Sequence, residues 1–206
     1  MNTTPTTIRL KKTHVKRASR ICASAFHNYP QSISMIPDDN KRRRILPHIF
    51  ECCLNYGIMY GEVHAVSENL EGIAVWLPAN DTVLSFPKML KAGFLSMSGK
   101  VGPTVLCRLI SALFHSSSVL DKHARDTDWM LFQLAVNPFC QGKGHASALL
   151  RPMFKRFDDE QLSCSLDTHD EKNVNIYKRF GFEVVHSGLV PRTGTNLWTM
   201  VRRMPS

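Results

Sequence analysis

The feature that most constrains the fold of this sequence is a glycine-containing segment between a strand-like stretch and a helix-like stretch. Residues 130–136 read MLFQLAV, which is typical of a buried strand. Residues 137–150 read NPFCQGKGHASALL, where two glycines and a lysine precede a helix-forming run. The first turn of a helix presents unpaired backbone N–H groups and the positive end of the helix dipole. The segment therefore predicts a phosphate-binding site at the start of a helix.

Two better-known phosphate-binding patterns do not fit this segment or its neighbours. A dinucleotide fingerprint would need glycine at position 147, where Ser147 stands. The stretch from Gly93 to Lys100 has one residue too many for a phosphate loop and is followed by Val101 instead of Ser or Thr. On the residues alone, a plain strand-to-helix turn that uses glycine for backbone freedom stays open.

A second group of polar residues follows after one further predicted helix and strand. Asn173 and Tyr177 lie four positions apart in EKNVNIYKRFG, so they share one face of a predicted helix that ends at Gly181. Taken singly, each is explained equally well as a surface amide and a half-buried aromatic ring. The pair matters because it comes at a fixed interval after the glycine segment.

The rest of the chain alternates between strand and helix patterns, which predicts a single α/β (α+β) domain over residues 1–206 with a mixed sheet. Residues 6–10 are predicted as the first strand, and Thr13 as the cap of the first helix. A second helix is predicted over residues 38–56, with a kink at Pro47. Residues 78–125 carry three prolines and two apolar patches, and they predict a helical insertion.

In these motifs the chain resembles the GNAT superfamily of acyl-CoA-dependent N-acetyltransferases. The resemblance is strongest over residues 129–203, where W-x-L-x-x-L-A-V-x-P-x-x-Q-G-K-G is followed by L-D-T-x-x-x-x-N-V-x-x-Y-x-x-F-G-F-E-V. AFHNYP, IAVWLP and the helical insertion resemble the branch that contains puromycin N-acetyltransferase. The resemblance implies a single-domain GNAT fold, with a central sheet of about seven strands splayed between strands 4 and 5. Acetyl-CoA is expected to bind in the splay, and residues 129–203 form the cofactor-binding core.

The resemblance also implies roles for individual residues. Asn173 would orient the cofactor, Tyr177 would protonate the departing thiolate, and Asp167 would act as general base. Glu62, His64 and Asp128 are rivals for that base, as are a water chain or no dedicated base. The backbone would bind the pantetheine arm and the thioester carbonyl at Leu134, Ala135 and Val136, and the pyrophosphate at Gln141, Gly142, Lys143, Gly144, His145, Ala146 and Ser147. Relatives often have Gly-x-Gly in this turn, where this chain has Gly144, His145 and Ala146.

An acceptor pocket is expected between the N-terminal helices, the insertion and the last hairpin. Trp76, Phe86 and Trp198 are its apolar candidates. The expected acceptor is a small-molecule amine. The exposed patches predicted in the insertion favour a possible homodimer.

Composition limits the other classes of function. The formal net charge is +9, which favours an anionic partner. The basic run from Lys41 to Arg44 has no interleaved aromatic residues, so a solvated helix surface is expected and no nucleic acid. The nine histidines and six cysteines show no metal-binding spacing, so no metal is expected.

The sequence has no pattern typical of a membrane span or a secretory signal. No uninterrupted apolar run approaches the roughly 18 residues of a membrane span, and the N-terminus has no signal-peptide core, so a cytoplasmic protein with no membrane partner is expected. A catalytically idle acyl-CoA-binding sensor on the same fold stays open, and so does a basic nucleic-acid-binding protein.

Overall fold

The computed structural model describes residues 7–79 and 86–204. Its strands are β1 (Ile8–Arg9), β2 (Glu62–Ala65), β3 (Gly72–Pro78), β4 (Trp129–Val136), β5 (Cys164–Thr168), β6 (Glu183–Leu189) and β7 (Asn196–Arg202). Its helices are α1 (Val15–Ala25), α2 (Pro30–Met35), α3 (Asp39–Tyr60), α4 (Phe86–Lys91), α5 (Phe94–Val101), α6 (Pro103–His123), α7 (His145–Asp159) and α8 (Glu171–Lys178).

The seven strands form one mixed sheet in the order β1-β2-β3-β4-β5-β7-β6. Neighbouring strands are antiparallel except β4 and β5, which are parallel. The prediction of a mixed sheet of about seven strands in an α/β (α+β) fold is confirmed.

The parallel pair separates after a short contact. β4 and β5 pair only from Trp129 and Cys164 to Leu131 and Leu166, whereas β4 runs on to Val136 while still paired with β3. The register between β3 and β4 also shifts at this point, which leaves Phe132 as an extra residue on β4. The sheet therefore splays between strands 4 and 5, as the sequence predicts.

Helices cover both faces of the sheet, and alternate strand residues point to opposite faces. Trp76 and Leu131 pack in one core with α7 and α8 residues, which defines the α7 face. Val75 and Ala135 pack in a second core with residues of α1, α3, α5 and α6, which defines the α1 face. The two cores therefore lie on opposite faces of the sheet.

Three local expectations at the N-terminus need correction or extension. Thr13 does not cap the first helix, because it lies in the 3-10 turn Lys12–His14 and α1 begins at Val15. α2 is absent from the sequence prediction, since PQSISM is too short to show an apolar repeat. The predicted second helix is α3, which extends to Tyr60, and the Asp38 side chain caps it by accepting from the N–H of Lys41 at 2.6 Å.

The helical insertion is present as α4, α5 and α6. α6 is long and apolar enough to cross a membrane by length and composition alone. Its residues Val105, Leu109 and Ala112 nevertheless pack into the cores of this fold. The insertion also leaves large apolar side chains exposed, at Phe86, Leu95 and Phe114.

Candidate functional site

A cavity of about 190 Å³ lies at the splay. One part of its wall comes from β4, the end of β5 and α8, and includes Leu134, Thr168 and Tyr177. The rest comes from the segment that follows α1 and from α2, α3 and α6, which lie on the α1 face. The separation of two strands thus opens a space inside the fold that helices close from one side.

Asp167 is the carboxylate of this cavity, and it is half-buried. It lies on β5 between Leu166 and Thr168, and its side chain points to the α1 face, where α6 covers it. Ser116 of α6 donates a hydrogen bond to Oδ2, and Thr199 of β7 donates to Oδ1 at 2.6 Å. Burial nevertheless outweighs these two bonds and raises the pKa of Asp167 from 3.8 to about 6. The group therefore exchanges its proton nearer to neutral pH than an ordinary carboxyl does.

Thr168 joins the loop after α1 to the end of β5. Tyr29 Oη lies 2.9 Å from Thr168 Oγ1 and accepts a hydrogen bond from the backbone N–H of His169 at 2.6 Å. His169 itself lines the cavity, and burial lowers the pKa of its imidazole to about 4. The imidazole is therefore neutral at neutral pH.

The two predicted α8 residues both line the cavity. Asn173 Nδ2 donates to Thr168 Oγ1 at 3.4 Å. Tyr177 is 9% exposed and packs its ring edge-on against Phe182, with ring centroids 5.8 Å apart. Burial raises the pKa of the Tyr177 phenol well above its usual value of 10, so the hydroxyl keeps its proton. The helical spacing read from the sequence does bring these two side chains to one site.

Gln133 adds a polar atom to the wall, and no pattern in the sequence singles this residue out. It pairs with Val75 across β3 and β4 and points to the α1 face with it. Its Oε1 is buried and has no hydrogen-bond partner in the described structure. A buried acceptor without a donor is costly, which makes this atom a candidate contact for a bound molecule.

The glycine segment forms an open turn before α7. Gly142 and Gly144 have φ of +76° and +82°, a left-handed conformation that other residues rarely adopt, and a Cβ at either would meet no atom within 4 Å. The Ala148 N–H donates to the Gly144 carbonyl at 3.0 Å, which is the first hydrogen bond of α7. The N–H groups of the residues before Ala148 therefore have no acceptor within the helix. Before the turn, the Gln141 side chain is tied to the end of β4, because its Nε2 donates to the Val136 carbonyl at 3.3 Å. After the turn, His145 is the first residue of α7 and is half-buried.

The rival bases lie outside the cavity wall. Glu62 and His64 hydrogen-bond to each other at 2.9 Å on the α7 face, where Arg156 also pairs with Glu62. The hydrogen bond from His64 and the contact with Arg156 lower the pKa of Glu62 to about 2, which suits an ion pair better than a base. Asp128 accepts from the N–H and Oγ of Ser163, at 2.7 and 2.8 Å, and so ties the start of β4 to β5.

The three apolar residues predicted for the acceptor pocket do not line this cavity. Trp76 is fully buried on the α7 face against Phe154 and Phe157, with centroid distances of 6.0 and 5.2 Å. Trp198 packs on the same side, and Phe86 is 61% exposed. For the two tryptophans the reason is strand alternation, because a sequence shows which residues alternate but not which face each set takes.

The basic run is only partly a solvated surface. Arg42 is 4% exposed and donates to the carbonyls of His27, Ile36 and Pro37 and to Asp39, at 2.7 to 3.0 Å. It thereby fixes the α1–α2 connection against the start of α3. Its neighbours Arg43 and Arg44 are exposed, as expected.

Several cavity residues had no signal in the sequence. Ser116 and Thr199 reach Asp167 from positions 51 and 32 residues away along the chain. Tyr29 reaches Thr168 from 139 residues away.

Comparison with known proteins gives the class of this fold and site. The model of the acetyltransferase (GNAT) family matches residues 112–182, which include β4, the glycine segment, β5 and α8. An uncharacterised N-acetyltransferase of Schizosaccharomyces pombe is 23% identical over 180 residues, or 84% of this chain and 72% of that protein.

Solved structures share the fold over almost the whole chain. A Corynebacterium glutamicum structure described as histone acetyltransferase HPA2 and related acetyltransferase has a TM-score of 0.69, with 19% identity over 98% of this chain and 97% of that one. Arylalkylamine N-acetyltransferase 2 of Aedes aegypti has a TM-score of 0.61, with 13% identity over 97% and 99% of the two chains. The polyamine N-acetyltransferase of Drosophila melanogaster has a TM-score of 0.59, with 13% identity and the same coverage.

The splayed mixed sheet and the matched core define an acetyltransferase domain. Over residues 112–182 the chain carries a match to the acetyltransferase (GNAT) family, and beyond it the chain shares the fold of solved acetyltransferases.

Proposed function

We propose that this protein transfers the acetyl group of acetyl-CoA to a primary amine of a small molecule, by direct attack of the amine on the thioester. The observation that carries the proposal is the cavity at the splay, whose wall holds a half-buried carboxylate, Asp167, and a buried phenol, Tyr177. Two proton-handling groups of different pKa in one buried cavity are what transfer between an amine and a thiol requires.

The residues present fit acetyl-CoA. The open turn at Gly142 and Gly144 would hold the pyrophosphate, since neither position has a side chain to obstruct it and α7 begins there. Beyond Leu131, the β4 edge toward β5 is unpaired within the described residues, so its polar groups as far as Val136 can bind the pantetheine arm. Bound there, acetyl-CoA would supply the thioester carbon that the amine attacks.

Asp167 is the proposed proton acceptor. An alkylamine arrives mainly as its ammonium form, because its pKa is near 10. The raised pKa of Asp167 makes its carboxylate a better base than an exposed one, and burial in the same cavity lowers the pKa of the ammonium, which makes it a stronger acid. Ser116 and Thr199 hold the carboxylate in place during this transfer.

Tyr177 is the proposed proton donor. Burial keeps its hydroxyl protonated throughout the physiological range, so Oη can give a proton to the departing thiolate. Asn173, one helical turn earlier, is held toward Thr168 and would orient the bound cofactor.

Turnover of acetyl-CoA with a panel of amines tests the proposal. Release of free CoA that depends on an added amine, with the acetylated amine identified by mass spectrometry, would support it. Tight acetyl-CoA binding without turnover by any amine would instead favour a catalytically idle acyl-CoA sensor.

We propose that the enzyme works in the cytoplasm. All six cysteines are free, and five of them are buried or half-buried. Reducing compartments keep thiols in this state, which supports the proposal.

A further inference from the structure

The acceptor side of the cavity is made mainly of hydrocarbon. The helices on the α1 face contribute apolar side chains to it, among them Phe26, Met35, Ile49, Phe50, Leu109 and Leu113. Such a wall favours an apolar ligand, because apolar surface gains free energy when it leaves water.

The charge in this wall is limited to one group. Among the described residues that line the cavity, Asp167 is the one carboxylate. A carboxylate can accept about four hydrogen bonds. Ser116 and Thr199 donate two of them to Asp167, so its remaining lone pairs can accept from an ammonium group. Gln133 Oε1 has no hydrogen-bond partner among the described residues. It offers an uncharged acceptor on the same face, in addition to the Asp167 carboxylate.

The cavity is also small. Its volume is about 190 Å³, and an apolar protein cavity of about 150 Å³ is known to hold one benzene molecule. One ring or short alkyl chain with an amino group therefore fits.

From these observations we infer that the acceptor is a primary monoamine with a small apolar body, an inference that rests on the proposed function. The amino group lies at Asp167 and Gln133, and the hydrocarbon lies against the α3 and α6 side chains. A diamine or polyamine of the same length is disfavoured, because its second ammonium group would be buried against hydrocarbon without a counter-ion.

Hexylamine and 1,6-diaminohexane provide a matched pair, since they differ by one terminal amino group. We expect kcat/KM for hexylamine to exceed that for the diamine by at least about a hundredfold, because an unpaired buried charge is costly. Calorimetry without acetyl-CoA should show the same order of binding. Asp167→Asn should weaken the binding of hexylamine.

A second carboxylate in the hydrocarbon wall should reverse the preference. Leu113 is half-buried on α6, so Leu113→Asp can place a carboxylate there, and Leu113→Asn is the uncharged control of the same shape. The Asp variant should gain diamine binding relative to hexylamine, and the Asn variant should not.

Equal or better use of the diamine by the unaltered enzyme would overturn the inference while leaving the proposed function intact. If no amine is acetylated, the proposed function fails, and the calorimetric order of the two amines alone decides the inference: tighter hexylamine binding supports it, and equal or reversed order overturns it.

Discussion

Thr199 and Asp167 lie directly opposite each other on β7 and β5, and the Thr199 hydroxyl donates to Asp167 Oδ1 at 2.6 Å. Both side chains lie under α6, and Ser116 of that helix donates to the other carboxylate oxygen. The carboxylate is thus held by two neutral donors and by no cation that the structure describes. Two hydroxyls orient the charge but do not offset its burial, which is why its pKa rises to about 6.

The first prediction concerns stability. The folded pKa of Asp167 lies above its ordinary value of 3.8, so the folded protein binds this proton more tightly than the unfolded chain does. The resulting stabilisation is full below about pH 4 and is lost as pH rises through about 6. Asp167→Asn should therefore raise the free energy of unfolding at pH 8, by up to about 3 kcal/mol, and change it little at pH 4. Urea unfolding at both pH values measures this, and equal effects at the two would contradict it.

The second prediction concerns the pH dependence of catalysis. If Asp167 accepts the proton of the amine, kcat/KM should fall as pH drops below about 6, where the carboxylate becomes protonated. Thr199→Val removes one donor to the charged form, so the acidic limb should move upward by about one pH unit. An unchanged limb in Thr199→Val, or full activity in Asp167→Asn, would assign the limb to another group.

The third prediction concerns Tyr177. Tyr177→Phe keeps the ring that packs against Phe182 and removes only the hydroxyl. We expect kcat to fall by about 10², the low end for general acids because a thiolate is a tolerable leaving group, with acetyl-CoA affinity and thermal stability nearly unchanged. Steady-state kinetics, calorimetry and thermal unfolding measure the three quantities. Full kcat with a loss of stability would make Tyr177 a packing residue.

The fourth prediction concerns the glycine turn. Gly144 has a positive φ and no neighbour within 4 Å of an added Cβ, so Gly144→Asn and Gly144→Asp should strain the backbone to a similar extent. They differ in one negative charge at the start of α7. CoA affinity measured by calorimetry should therefore fall roughly tenfold further in the Asp variant than in the Asn variant. Equal affinities in the two folded variants would place the pyrophosphate elsewhere.

The parts of this fold that the sequence predicts are those that local pattern determines. MLFQLAV predicts the end of β4 at Val136 and its start to within one residue, because apolar strand character ends where Asn137 and Pro138 begin the turn. Asn173 and Tyr177 meet in the cavity because helical spacing alone aligns them. By contrast, the interpretation of Trp76 was wrong, since a fully buried strand reads as apolar on both faces and does not reveal which face meets α7.

The cavity's polar contacts are the parts that local pattern cannot reach. Asp167 could be proposed from its place at the end of a strand. Its surroundings depend on α6, however, and no local pattern shows that Ser116 of this helix reaches the end of β5. Gln133 reads as an ordinary polar residue in a strand, and only the fold shows that its Oε1 is buried without a partner.

The last prediction concerns Arg42, which connects the basic run to the cavity. Arg42→Ala removes the bonds to His27, Ile36 and Asp39 and leaves buried acceptors unpaired, so it should cost about 3–5 kcal/mol in the free energy of unfolding. Arg43→Ala is the matched control: Arg43 also pairs with Asp39, but it is exposed, and its loss should cost at most about 0.5 kcal/mol. Because Arg42 fixes the segment that carries Tyr29 into the cavity wall, any folded Arg42 variant, such as Arg42→Lys, should also show a higher KM for the amine. Denaturant unfolding and steady-state kinetics measure both effects. Equal losses of stability in Arg42→Ala and Arg43→Ala would show that the buried guanidinium does not hold this wall.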